Sequence, residues 1–403
     1  MSPGGSHRTC SVEDVTPPEF DAIVIGAGSV GNPTAYFLAR EGLRVLVLDE
    51  LPSSGQGQNK AAIGGVRATH SDPAKIRLGQ ESLEVFSTWG ATNGTDIGWK
   101  KGGYLFPAFD DAVEGELEKL LPIQRRFGLD IDWCDAETVG RLVPGIARAG
   151  LCGGTYSPDD GQVSPLRASE AFTNAAVRHG AVYRYRETVT SLRMDDRTVT
   201  GVGTDRDEYR ATVVIDAAGA QGTRIARMAG VDVPVLPESH EAGISAPVRP
   251  FLDPLVVDLR PGPEGRTSNF YFGQDADGQV IFCYTPKEPF PGENRTSTFE
   301  FMPTVAARLV ELVPRLKNLT IRRVWRGLYP MTPDGRPIVG PAPGVKGLLL
   351  GIGMCGQGFM LGPGVGRNLA SLVLHGRPSI DPEVFALLSP SRDLRTDRKE
   401  SLK

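Results

Sequence analysis

The chain has 403 residues, of which 40% are hydrophobic and 23% charged, with a net charge of -4. That length exceeds what one core usually serves, so two domains are expected, and the composition is that of a globular protein. The small negative charge leaves no basic footprint for nucleic acid and no polybasic membrane patch, and apolar runs such as 347–353 are too short to span a bilayer.

Residues 1–19 are rich in Ser, Gly and Pro and carry no apolar stretch, which predicts a disordered extension rather than a signal peptide. DAIVIGAG then reads as a buried parallel strand at 21–25, followed by a helix over 31–41 closed by Gly42 and a second strand ending at Asp49. Residues 51–75 form a Gly- and Gln-rich loop long enough to carry function. Helical periodicity returns at 74–89, 111–127 and 167–180. VTSLRMDDRTVTGVGTD reads as a hairpin turning at Asp195 and Asp196, and ATVVIDAAGAQG as another buried strand entering a Gly turn. From about 235 to 330 aromatic and polar residues alternate, the pattern of antiparallel sheet. GLLLGIG is again a parallel-type strand, and a last helix is expected over 363–375.

This order predicts an α/β protein with a discontinuous Rossmann-like domain and an inserted α+β domain on a mostly antiparallel sheet. The nucleotide-binding parts are expected at 20–100, 151–235 and 331–388, the inserted domain at 101–150 and 236–330, and a flexible tail at 389–403. Five cysteines are scattered without a C-x-x-C pair, which predicts reduced thiols and a cytoplasmic location. No two of the five histidines stand at metal-ligand spacing, so no metal site is expected.

Gly26-Ala27-Gly28-Ser29-Val30-Gly31 is a G-x-G-x-x-G between a strand and a helix. Gly26 suits the tight turn, Gly28 the approach of a pyrophosphate, and Gly31 the packing of helix on strand, while Asp49 can accept ribose hydroxyls. This much does not separate NAD from FAD. The C-terminal run GIGMCGQGFMLGPGVG, residues 351–366, adds a second glycine-rich turn before a helix, whose positive end suits the pyrimidine side of a reduced flavin. FAD is therefore the expected cofactor.

At these segments the chain resembles the D-amino-acid oxidase/sarcosine oxidase superfamily, most of all over RVWRGLYPMTPDGRPIVGPAPGVKGLLLGIGMCGQGFMLGPGVG, residues 323–366. GGYLFPAFDDAVEGELEKLLPIQRRFGLDIDW followed by YSPDDGQVSP is most similar to β-subunit-type proline dehydrogenases and sarcosine oxidase or dehydrogenase relatives. The resemblance implies oxidation of an amino-acid C–N bond by hydride transfer to flavin N5. It assigns the ADP half to Gly26, Gly28, Ser29, Val30, Gly31, Asp49 and Glu50, and adenine contact to Val189. Lys60, Ala61 and Ala62 would pass the isoalloxazine and pyrophosphate, with Ala217, Ala218 and Gly219 entering beside the cofactor. Gly356, Gln357, Gly358, Phe359 and Met360 would lie beneath the flavin pyrimidine ring.

The resemblance places Arg67 on the substrate carboxylate and Tyr329 in the substrate pocket, joined by Tyr271 or with Tyr271 as a plain core aromatic; His70 is expected on the surface. Gly327 stands where covalent flavoproteins of the group carry a cysteine, which implies non-covalent FAD. Met360 replaces a lysine that serves some relatives as a second carboxylate anchor, and Gln357 replaces a histidine. Phe282 stands where sarcosine oxidases keep an oxygen-activating lysine, with Lys287 some residues too late, which favours an acceptor other than O2. Oxidase and dehydrogenase both remain open, as do a 2-hydroxy-acid or polyol dehydrogenase and an FAD-carrying subunit of a hetero-oligomer.

Overall fold

The computed structural model describes residues 19–394 and Leu402. Of the expected extension at 1–19, residues 1–18 lie outside the described residues. The first strand, Phe20–Ile25, is apolar on both faces because it runs through the middle of a sheet covered on both sides. It pairs in parallel with Val45–Asp49 and with Glu208–Asp216. Val182–Tyr185 and Leu348–Ile352 extend this parallel core, Ile338–Pro341 pairs antiparallel beyond it, and the hairpin Val189–Asp195/Thr198–Thr204 joins the start of 208–216. Among the described residues this sheet has eight strands.

The helices Gly31–Arg40, Pro73–Asn93, Pro165–Arg178 and Gly358–His375 share a core with one face of the sheet, and Gly222–Met228 packs into the core on the other. Local signals explain where they begin. Asp72 accepts from the N–H groups of Ala74 and Lys75 with Pro73 as the first helical residue, and Ser164 caps 165–178 in the same way. The helix expected at 74–89 runs on to Asn93, because its true stop is Gly94 in a left-handed conformation at φ 69°.

The helix expected at 363–375 begins five residues earlier, at Gly358. Its glycines answer to packing rather than to a ligand. A Cβ on Gly362 would lie 2.0 Å from the carbonyl oxygen of Ser29, one on Gly364 2.3 Å from that of Leu78, and one on Gly366 2.7 Å from the amide of Thr34. Only bare backbone lets this helix lie so close to 31–40 and 73–93.

The second sheet also has eight strands, in the order 321–331, 236–247, 279–286, 267–274, 255–258, 104–108, 153–157, 132–135. All neighbours are antiparallel except 255–258 with 104–108. Phe301–Leu312 closes one face over an apolar core that includes Phe270, Phe272 and Phe282, and the other face looks toward the first sheet. Gly153–Ser157 belongs to this sheet, so the chain crosses back after 157 rather than at the expected 151. The expected flexible tail is also corrected at its start. Arg392 forms an ion pair with buried Asp334 at 2.8 Å, and Leu402 is 1% exposed among Tyr104, Phe106, Leu255 and Val257. The remainder of the tail lies outside the described residues.

Asp216, at the end of its central strand, is wholly buried and accepts one bond, from the Ala218 amide; its Oδ2 has no partner among the described residues. Burial pushes its carboxyl up to about 7. The folded chain therefore holds this proton more tightly than the unfolded chain, where the group titrates near ~3.9, and stability falls as pH rises through that window. Asp216→Asn keeps an acceptor for Ala218 and cannot ionise. Thermal melts should show it more stable than the parent at pH 8, by at most about 4 kcal/mol at ~1.4 kcal/mol per pH unit, with little difference at pH 4. Equal differences at both pH values would contradict this assignment.

Candidate active site

A cavity of about 860 Å³ runs between the two sheets. At one end lies the first glycine turn. Gly26 has φ 105° and approaches Ala217 so closely that a Cβ would lie 2.5 Å from that carbonyl oxygen, and a Cβ on Gly31 would lie 1.8 Å from the oxygen of Gly26. At Gly28, by contrast, a Cβ would meet nothing within 4 Å. The open space beside Gly28 is where a phosphate can approach backbone.

No side chain caps the helix that begins at Gly31, and none caps the one that begins at Gly358. Both uncapped N-termini line the cavity, through Ser29 and Val30 and through Gln357 and Gly358. A helix start without a cap leaves N–H groups and partial positive charge for an anionic ligand. Asp49 accepts from the Ala27 amide at 2.7 Å and the Leu51 amide at 2.8 Å, and its remaining lone pairs suit ribose hydroxyls. Burial holds this carboxyl above the usual range. Glu50 beside it lies 3.6 Å from Arg224, and Val189, Ala217, Ala218 and Gly219 line the same end. These residues fit an ADP moiety, and the length of the cavity leaves room for a flavin beyond it.

The loop 51–65 is stitched to the strand 321–331 from the other domain. Trp325 Nε1 donates to the Ala61 carbonyl at 2.9 Å, and the Leu328 amide donates to Gln58 Oε1 at 2.6 Å. Ala61 and Ala62 thereby face the cavity. Lys60 does not: its side chain is exposed and reaches Gln56, because the short 3-10 turn at 59–61 points it outward. A Cβ on Gly327 would lie 2.7 Å from that of Ala61, so the strand passes the loop too closely for a larger side chain.

The substrate side is built by the second sheet. Tyr329 and Tyr271 share a hydrogen bond of 3.1 Å between their hydroxyls, and burial raises both phenols above their ordinary value. The Tyr329 ring lies against Gly356, where a Cβ would meet it at 2.3 Å, so Tyr329, Gly356 and the flavin-side turn Gln357–Met360 form one wall. His240 stacks on Tyr329 with ring centroids 3.8 Å apart and planes at 15°. Cys283 faces the cavity, its thiol pushed up to about 12 by burial. Phe282 is wholly buried in the opposite core, because strand alternation turns it away from the cavity. On this strand Cys283 faces the cavity instead, and Lys287 also lines it, as an exposed residue just past the strand's end.

Arg67 lines the cavity at 4% exposure. One guanidinium nitrogen donates to the Thr69 carbonyl, another to the Leu402 carbonyl at 2.5 Å, and the cation lies over the rings of Phe106 and Tyr104 at 5.6 and 5.9 Å. Among the described residues no carboxylate forms an ion pair with it. The loop carrying it is fixed by Asp160, which accepts from the Ala68 amide at 2.8 Å and the Thr69 hydroxyl at 2.5 Å. His70 is wholly buried rather than on the surface, and Gln124 of the helix 111–126 donates to its carbonyl at 3.2 Å. Burial, then the charges of Arg67 and Lys75, holds its imidazole well below the usual value, which keeps it neutral. Sequence reading passed over Gln58, Trp325, His240, Cys283 and Lys75. Only the alternation of the strand 279–286 carried a signal, for Cys283; the rest depend on contacts between distant segments.

Comparison with known proteins agrees with this geometry. The chain is 26% identical over 91% of its length to the mitochondrial dimethylglycine dehydrogenase of Rattus norvegicus, and the match covers 45% of that protein, so the chain spans about half its length. It is 29% identical to glycine oxidase of Pseudomonas aeruginosa, over 90% of this chain and 97% of that one. The structure of L-proline dehydrogenase from P.horikoshii superposes with a TM-score of 0.86 at 28% identity, covering 94% of this chain and 98% of that one. The family model described as FAD dependent oxidoreductase (DAO) matches residues 21–372, and the chain belongs to that family, with FAD as its cofactor.

Proposed function

We propose that the chain oxidises a C–N bond of a small amino acid carrying a secondary, N-methyl or cyclic amine, in the range of glycine, sarcosine and proline. The observation that carries this reading is Arg67, a buried guanidinium in the cavity wall whose described partners are carbonyl oxygens. A planar fork of N–H donors held against aromatic rings suits a carboxylate, and Asp160 holds its loop in place. The names of the relatives support the substrate range, since dimethylglycine, glycine and L-proline are all small amino acids.

Arg67 would fix the carboxylate, and the paired hydroxyls of Tyr271 and Tyr329 would border the amine. The apolar walls at Leu255 and Val257 exclude water while the substrate is held. FAD, when bound, supplies the two-electron acceptor, so that the substrate loses a hydride from the carbon next to nitrogen and a proton to solvent, leaving an imine that water hydrolyses. His70, neutral and buried, takes no part as a charged acid. The electron acceptor is proposed to be a redox partner or O2. The thiols at 134, 152, 283 and 355 are free, which supports a cytoplasmic location.

Anaerobic bleaching of the flavin by a panel of N-methylated and cyclic amino acids tests this reading; a flavin reduced only by 2-hydroxy acids or polyols would overturn it. Arg67→Gln should raise KM for the carboxylate substrate about a hundredfold, since a buried charged hydrogen bond contributes about 3 kcal/mol, with kcat falling less. The FAD is proposed to be non-covalent, because Gly327 offers no thiol and no space for one. Acid precipitation should then leave all the yellow colour in the supernatant; colour retained in the pellet would refute it.

A further inference from the structure

The guanidinium fork of Arg67 is engaged on both of its prongs in the folded chain. One nitrogen donates to the Thr69 carbonyl of its own loop. The other donates at 2.5 Å to the carbonyl of Leu402, which lies 335 positions further along the chain. Leu402 is 1% exposed, and its side chain belongs to the apolar cluster of Tyr104, Phe106, Leu255 and Val257. Tyr104, Leu255 and Val257 also line the cavity, as does Ile63, which packs against the same cluster. Leu402 thus sets a carboxyl-type oxygen on the guanidinium and a branched aliphatic group among cavity-lining residues. Those are two of the features by which an aliphatic amino acid would be held.

We propose that Leu402 holds the place of the substrate: the substrate is an amino acid with an aliphatic group or ring on its α-carbon, and it binds by displacing Leu402 from Arg67. The inference rests on the reading of Arg67 given above and adds to it a side-chain recess and a built-in competitor. A guanidinium binds a carboxylate bidentately through two parallel N–H donors, and one of these now serves Leu402. A carboxylate makes charge-assisted hydrogen bonds, roughly twice as strong as those of a neutral carbonyl, so the exchange favours the substrate. The exchange also moves the Leu402 side chain from an apolar recess into water, which weakens the apparent affinity. A substrate that fills the recess regains that burial; glycine, with no side chain, does not. The ion pair of Arg392 with Asp334 anchors the chain before residue 394, so Leu402 can be removed without disturbing that anchor.

The flavin-loaded full chain and a chain ending at Leu394 are titrated with carboxylates, by the visible absorbance of the flavin. One probe is tetrahydro-2-furoate, which has the shape of proline without an oxidisable C–N bond. The other is acetate, which has no group for the recess. Since apparent affinity scales with the fraction of molecules whose site is open, the shortened chain should bind tetrahydro-2-furoate roughly five- to fiftyfold more tightly than the full chain. The shortened chain should also prefer it to acetate by about tenfold or more. Leu402→Gly in the full chain, which removes the side chain that seats the carbonyl, should give most of the same gain. It takes the place of the shortened chain should that one lose its flavin. Carboxylate binding that is no tighter in either variant, yet is lost in Arg67→Gln, overturns this inference and leaves the Arg67 reading standing. Tetrahydro-2-furoate bound no more tightly than acetate once Leu402 is removed overturns it as well. Carboxylate binding that Arg67→Gln leaves unchanged in the shortened chain overturns both.

Discussion

Two helices with bare backbone at their starts lie against each other, and the cofactor end of the cavity depends on that contact. Gly31 presses on Gly26, Gly362 on Ser29 and Gly366 on Thr34, each at a distance that excludes a side chain. The packing aligns the uncapped N-termini of 31–40 and 358–375 along one cavity. The positive ends of both helix dipoles thereby face the cavity, which suits the charge of a dinucleotide and of a reduced flavin. Side chains contribute little at this end beyond Asp49.

The second domain completes the cavity through a small number of contacts between segments far apart in sequence. Gln58 and Ala61 hold the strand 321–331, and that strand carries Tyr329 onto Gly356. One wall of the substrate side is thereby fixed to the flavin-side turn, so cofactor and substrate share a common reference frame. Tyr271 reaches Tyr329 from the neighbouring part of the same sheet, and His240 supports the ring from behind. A displacement of the loop 51–65 would move both the cofactor wall and the substrate wall, which is the coupling an enzyme of this kind needs for hydride transfer across a short gap.

Much of this architecture was readable from local pattern. The strand–glycine turn–helix, the hairpin at Asp195 and Asp196 and the antiparallel run after 235 carry their signals within a few residues. A sequence does not say which face of a helix its glycines occupy, and those at 362, 364 and 366 lie against the backbone of Ser29, Leu78 and Thr34. Lys60 was misplaced for a related reason, since a single 3-10 turn decides whether a loop side chain points in or out. Phe282 and Cys283 differ by one residue of register, which in a strand is the difference between core and cavity. Nothing in the local pattern marks His70 or Lys75 as buried, since both are polar residues at the edge of a loop.

The charges at the substrate end follow from the same geometry. Burial raises the phenols of Tyr104, Tyr271 and Tyr329 and the thiol of Cys283, so these groups stay neutral, and the His70 imidazole is neutral by the opposite shift. Asp160, raised by burial to about 6, has its oxygens occupied by the Arg67 loop. The two ends of the cavity therefore differ in kind: helix N-termini face one end, and buried phenols, a thiol and the Arg67 guanidinium wall the other.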